Sequence, residues 1–202
     1  MENGALLPMF YLPPVTYFTA INQHKPNILI EKHEHLVKQT YRNRAHIYSP
    51  DGLLPLVVPV VKGAKVHTPV KDVKISNDFR WQRLHWMSLQ SCYRRSAYFE
   101  FYEDDFVPFY ERSFNFLYDY NEQLLNMILK FLKLPVQLRY TEEYHRNHPQ
   151  LIDYRHIIHP KNEAEVEQKT YFQVFEERKG FLKDLSIVDL LFNQGPQAVN
   201  YL

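Results

Sequence analysis

The order of the first 31 residues constrains this chain most. Leu6 to Leu12 reads as a short strand, stopped by Pro13-Pro14. Val15 to Gln23 reads as a helix, with proline at its entrance where a missing N–H costs nothing. Asn27 to Glu31 is an apolar run of strand length. A strand, a helix and a second strand this close together form a βαβ unit, whose two strands are parallel. The fold class expected is therefore α/β: a mixed sheet flanked by helices, in a single domain over residues 1–202.

Further strands are expected at Ala45–Ser49, Leu53–Val61, Val70–Ile75, Val136–Tyr140 and Tyr171–Phe175. Asp51-Gly52 signals a hairpin between the first two, and Pro50 predicts a turn longer than the simplest type. Residues 63–69 read as a polar loop. On a helix over Phe79 to Tyr93, Trp81, Leu84, His85, Ser88 and Cys92 share one face, with Arg80, Arg83, Gln90 and Arg94 on the other. A second helix from Phe114 to Leu132 carries a core stripe of Phe116, Tyr120, Leu124, Met127, Ile128 and Phe131. Residues 142–169 are polar and contain four histidines, as an excursion or lid within the domain would. Ser186-Ile187-Val188-Asp189 is a capping box that starts a short helix, which Gly195-Pro196 stops.

Composition narrows the function classes. The net charge of +1 creates no global field toward nucleic acid or acidic membranes. Any anion site must be local. Cys92 is the single cysteine, so no disulfide forms within the chain and cysteine-rich zinc sites are excluded. The acidic start Met1-Glu2-Asn3-Gly4 is unlike a signal peptide, and the longest apolar runs are too short to span a bilayer, so a cytoplasmic location is expected. With 5 glycines in all, no glycine-rich phosphate cradle is available. No nucleophile elbow, dinucleotide fingerprint or zinc-protease helix is present either. Side chains must hold any bound anion, and no cofactor is expected.

The densest polar constellation is Lys38-Gln39-Thr40-Tyr41-Arg42-Asn43-Arg44. Guanidinium groups grip carboxylate or phosphate in a fork, and lysine adds a point charge. On a helix, Lys38 would stack on Arg42; on a strand, Arg42 and Arg44 would share a face. Either geometry converges two cations. The competing reading is a solvated basic edge, which Tyr41 and Asn43 fit poorly. His85 on the apolar helix face is a candidate general base, though a buried histidine satisfied by a carbonyl is commoner. Cys92 reads as a core filler. The pairs His145/His148 and His156/His159 have i,i+3 spacing, but adjacent prolines and the lack of a matching carboxylate argue against a metal site. The capping box already accounts for Asp189.

Several segments together resemble the WbqC-like family. They are Tyr11-Leu12-Pro13, the Lys38–Arg44 segment, His85-Trp86 followed by Tyr93, Phe99-Glu100-Phe101-Tyr102, and Ser186–Asn193 with Gly195-Pro196. The resemblance spans nearly the whole chain and is to a bacterial, Bacteroidetes-type branch. Other members carry Trp at the position of Tyr41 and a neutral amide at Arg42, and keep counterparts of Lys38, Asn43 and Arg44. The resemblance implies a role in surface-polysaccharide (O-antigen) biosynthesis, with transfer of an aminoacyl or acyl group to a sugar or nucleotide-sugar. Under that reading, Tyr11, Lys38, Gln39, Tyr41, Arg42, Asn43, Arg44 and Tyr93 bind an anionic substrate, with His85 as base and Tyr17 beside the reacting group. The alternative is a non-catalytic module for an anionic ligand or a protein partner. Nucleic acid is not expected, given the near-zero net charge.

Overall fold

The structure is a computed structural model that describes residues 4–61, 68–162 and 168–202. Its centre is β1 (Gly4–Pro8), buried along its whole length. A strand covered on both faces must be apolar throughout, and Ala5, Leu6 and Leu7 are. Helix α1 (Val15–His24) follows, then β2 (Ile28–Glu31), parallel to β1 with Leu6 opposite Leu29. The expected βαβ opening is present. β1 ends at Pro8 rather than Leu12, because the chain there leaves the ladder. The Tyr17 hydroxyl donates to the Pro8 carbonyl, Tyr11 N–H donates to the Tyr41 carbonyl, and Leu12 turns through φ 38°.

A tight hairpin follows, made of β3 (Arg44–Ser49) and β4 (Gly52–Val57). Ser49 faces Gly52, so the connection is the two residues Pro50-Asp51 and not a longer loop. Gly52 takes φ 109°, which lets the turn close this tightly. Residues 62–67, most of the expected polar loop, lie outside the described residues. The expected strand at 70–75 is a 3-10 turn over Val70–Asp72, followed by isolated bridges from Lys74 and Ile75. Pro69 accepts the Asp72 N–H and winds the segment.

Helices α2 (Trp81–Tyr93), α3 (Phe99–Glu111) and α4 (Leu117–Phe131) come next. On α2 the buried stripe is Trp81, His85, Leu89, Cys92 and Tyr93. Leu84, expected inside, is 57% exposed, because the stripe rotates toward Leu89. The sequence reading places no helix over α3, which contains Pro108 in its last turn, after an acidic cluster at 103–105. The α4 stripe holds, with Tyr120, Leu124 and Ile128 buried.

β5 (Arg139–Tyr140) adds to β2, and β6 (Leu151–Asp153) adds to β1. The sheet order is β5-β2-β1-β6, all parallel. The polar stretch 142–169 thus supplies a sheet strand and the buried Arg155; its residues 163–167 lie outside the described residues. Tyr171–Phe175 forms no ladder; Gln173 instead exchanges side-chain hydrogen bonds with the Leu182 backbone. One turn of helix, α5 (Glu176–Lys179), leads to α6 (Ile187–Gln194). Gly195 stops α6 at φ 53°, against the Tyr98 ring, where a Cβ would collide.

Candidate functional site

Parallel sheets bind ligands outside the carboxyl ends of their strands, where the strand order reverses. Here the chain builds outward from β1 through β2 to β5, then returns to β1's other side with β6. The carboxyl ends of β1, β2 and β6 carry Met9–Tyr11, Glu31 and Asp153–Arg155.

This edge holds a buried ionic network. Arg42, 1% exposed, forks onto Glu34 at 2.8 and 2.6 Å and donates to the Arg155 carbonyl. Arg155 grips Asp153 at 2.6 Å and reaches Glu31 at 3.2 Å. Burial raises the Glu34 carboxyl, and the Arg42 hydrogen bond and charge oppose that shift. Arg42 is committed to this network, so its guanidinium has no fork left for a ligand.

The rest of the Lys38–Arg44 segment splits. Residues 38–43 form turns rather than a helix or a strand, so Lys38 does not stack on Arg42. Lys38 and Gln39 are exposed, and Gln39 sits at φ 60°. The Asn43 amide donates to the Val58 carbonyl at 2.9 Å, which pins the entry to β3. Tyr41 is buried beside Phe10, and its ring meets His46 edge-on at 5.4 Å.

Arg44 is different. It is half-buried, its Nε is buried without a hydrogen-bond partner, and no ion pair engages it among the described residues. One strand pleat later, His46 shares its face. Burial first, then the charge on Arg44, lower the His46 pKa. His159 is lowered by burial, then by Lys161, Arg42, His156 and Arg44. Arg44 and His46 therefore share one face of β3, and the Arg44 charge reaches His159 only as the weakest of the influences on it.

His85 is 6% exposed and shares a 3.0 Å hydrogen bond with the Tyr11 hydroxyl. Tyr11 in turn meets Tyr110 at 3.1 Å and stacks on Tyr120. Burial pulls His85 down to about 4, against a backbone hydrogen bond at Val57. Val57 faces Arg44 across the hairpin, so Arg44 and His85 border the same strand residue. Tyr11 and His85 are thus joined directly, and Asn43 and Arg44 adjoin them only through the β4 end at Val57 and Val58, while no hydrogen bond or ion pair among the described residues draws Lys38 in. The Tyr17 hydroxyl is used up by Pro8.

Tyr93 belongs to another network. Its hydroxyl accepts the Tyr48 N–H and donates to Asp189 at 2.9 Å. The Asp189 carboxylate also accepts from Tyr171 and Gln173. Capping is therefore not what Asp189 does: Ser186 Oγ accepts from Val188 N–H, and the Ser186 N–H goes to the His46 carbonyl. Cys92 is buried, with its thiol pushed up to about 11 by burial and by Asp189.

Sequence reasoning passed over His46, Glu34 and Arg155, and assigned Asp189 to a capping box. Alternation along β3 could have paired His46 with Arg44; the other three depend on long-range contacts. Among the described residues, no three His, Cys, Asp or Glu side chains converge as a metal site, and no helix is long and apolar enough to cross a membrane. Two surface hollows, of about 370 Å³ at the end of α4 and about 160 Å³ at the start of α1, touch neither Arg44 nor His46.

An uncharacterised protein of Mycobacterium tuberculosis (strain ATCC 25618 / H37Rv), Rv1507c, is 25% identical over 228 residues, across 100% of this chain and 98% of that protein. No solved structure matches. The family model for the WbqC-like protein family matches residues 9–164, which include the ionic network, the hairpin and the His85 layer, and the chain belongs to that family.

Proposed function

We propose that the face of β3 presenting Arg44 and His46 binds the anionic part of a small-molecule substrate. We further propose that the protein is a cytoplasmic group transferase acting on a sugar or nucleotide-sugar in surface-polysaccharide biosynthesis. One observation carries the binding half: Arg44 keeps a buried, unpartnered Nε on the same face of β3 as His46. An unsatisfied buried donor costs about 1–3 kcal/mol, which a phosphate oxygen would recover. Exposed Lys38 stands by as a steering charge.

The transferase half draws on the family resemblance, and chemistry selects its base. His85 is closed off by Tyr11 and is a weak base at about 4. His46 is half-exposed, neutral at physiological pH and on the Arg44 face, which suits proton removal from an attacking amine. Tyr11, Tyr41, Asn43 and Tyr93 act here by positioning, through the bonds already described.

The test is a thermal-shift screen with nucleotide-sugars and acyl donors, repeated on Arg44→Ala. A stabilising shift with a nucleotide-sugar that vanishes in the variant is expected. Absence of any shift with anionic metabolites would reject the binding half. The competing reading, a non-catalytic anion-binding module, is favoured by the closure of His85. Binding that survives in His46→Ala with no product formed by either protein would establish it.

A further inference from the structure

Outside the site, the outer faces of α2 and α3 stand apart. Three of the most exposed large apolar side chains lie on them: Phe101 at 72%, Leu84 at 57% and Met87 at 52%. On α2 they are bracketed by exposed Arg80, Arg83, Arg94 and Arg95, and α2 holds no acid. On α3 the exposed charges are Glu100, Asp104, Asp105 and Glu111. No hydrogen bond or ion pair engages the side chains of these eight residues among the described residues. Two neighbouring helices of opposite charge thus leave those charges unpaired among the described residues.

The helices run antiparallel. The Gln82 amide donates to the Phe109 carbonyl at 2.8 Å, and the Gln90 amide donates to Glu103 at 3.0 Å. A two-fold axis parallel to them, lying between two facing copies, would set α2 of one copy on α3 of the other at equal height. Arg94 and Arg95 then come beside Glu100, Arg83 beside Glu111, and Met87 against the span from Phe101 to Asp105. Arg112 near Arg80 is the one like-charge approach in that register. A two-fold axis across the helices would instead set α2 on α2, basic on basic.

We infer that this face is the contact between two copies of the chain, α2 of each on α3 of the other. The patch is self-complementary in charge, as a two-fold interface requires, and has an apolar centre. Each helix has 13 residues, about 20 Å long. A face of that length two helices wide falls at the low end for specific interfaces, so the dimer is reversible and salt-sensitive.

Equilibrium sedimentation of the full chain from about 1 to 500 µM tests this, a range that spans weak to moderate association. A concentration-dependent dimer is expected at low salt, weakened about tenfold or more near 0.5 M NaCl. Met87→Asp should abolish it. Arg94→Glu/Arg95→Glu should abolish self-association, and mixing that chain with Glu100→Arg should restore a heterodimer. A monomer at every concentration in low salt overturns the inference. So does a dimer unchanged by Met87→Asp, or a monomer that instead sediments with anionic vesicles.

Discussion

Asp189 should make this protein more stable in mild acid than at neutral pH. Its carboxyl is fully buried and accepts from Tyr93 on one oxygen and from Tyr171 and Gln173 on the other. No cation faces it. Burial raises its pKa from the ordinary 3.8 to about 6, and the three neutral donors recover only part of the lost hydration. The folded state therefore holds the proton more tightly than the unfolded chain. The associated stability is complete below the unfolded value and is lost as pH rises through 6. The gap from 3.8 to about 6, at ~1.36 kcal/mol per pH unit, gives about 3 kcal/mol. Urea unfolding of the wild type and Asp189→Asn between pH 4 and 7.5 isolates that contribution. Other carboxyls titrate alike in both proteins, and any constant cost of rearranging the hydrogen bonds cancels from the slopes. The wild type should lose about 2.5 kcal/mol relative to the variant across that window, slightly less than the full gap because pH 4 already lies at the unfolded value. Parallel curves would refute the reasoning and show that water or a nearby cation relieves the buried charge.

The ionic network predicts a different pattern. Glu34→Leu strands the Arg42 guanidinium and should cost about 3–5 kcal/mol, and adding Arg42→Met should restore most of it; a single-variant loss under about 1 kcal/mol would show that the pair is hydrated. Cys92 should react with a thiol reagent at pH 8 only on unfolding, because its thiol is buried and pushed up to about 11; a rate near that of a free thiol would contradict this.

The opening βαβ was legible because local rules decide it. Prolines end the strand, and apolar runs of strand length flank a helix. The hairpin was legible from Asp51-Gly52, though not its two-residue length, which depends on Gly52 at φ 109°. α3 was hidden by Pro108, and β6 by its three residues within a polar stretch. The Lys38–Arg44 segment shows most clearly why the site was only partly legible. Lys38, Arg42 and Arg44 are equivalent in charge within seven residues, yet one is solvated, one is buried and one is unpaired. What separates Arg42 from Arg44 is Glu34 and the Arg155 carbonyl, the latter 113 residues along the chain. No local pattern encodes that contact.

These networks also give the candidate site its rigidity. β3 carries Arg44 and His46, and its backbone is fastened from two sides. The Tyr48 N–H binds Tyr93, itself fixed by Asp189 on α6, and the His46 carbonyl accepts the Ser186 N–H at the start of the same helix. Upstream, Asn43 is bound to Val58 and Arg42 to Glu34. A buried charge without a cation, as at Asp189, weakens a fold at neutral pH. Its compensation here is geometric, since both ends of the short strand that presents Arg44 and His46 are held by side chains that cannot shift independently. The proposed anion site, with one guanidinium and the His46 imidazole and no glycine-rich loop to help, would depend on that fixed strand.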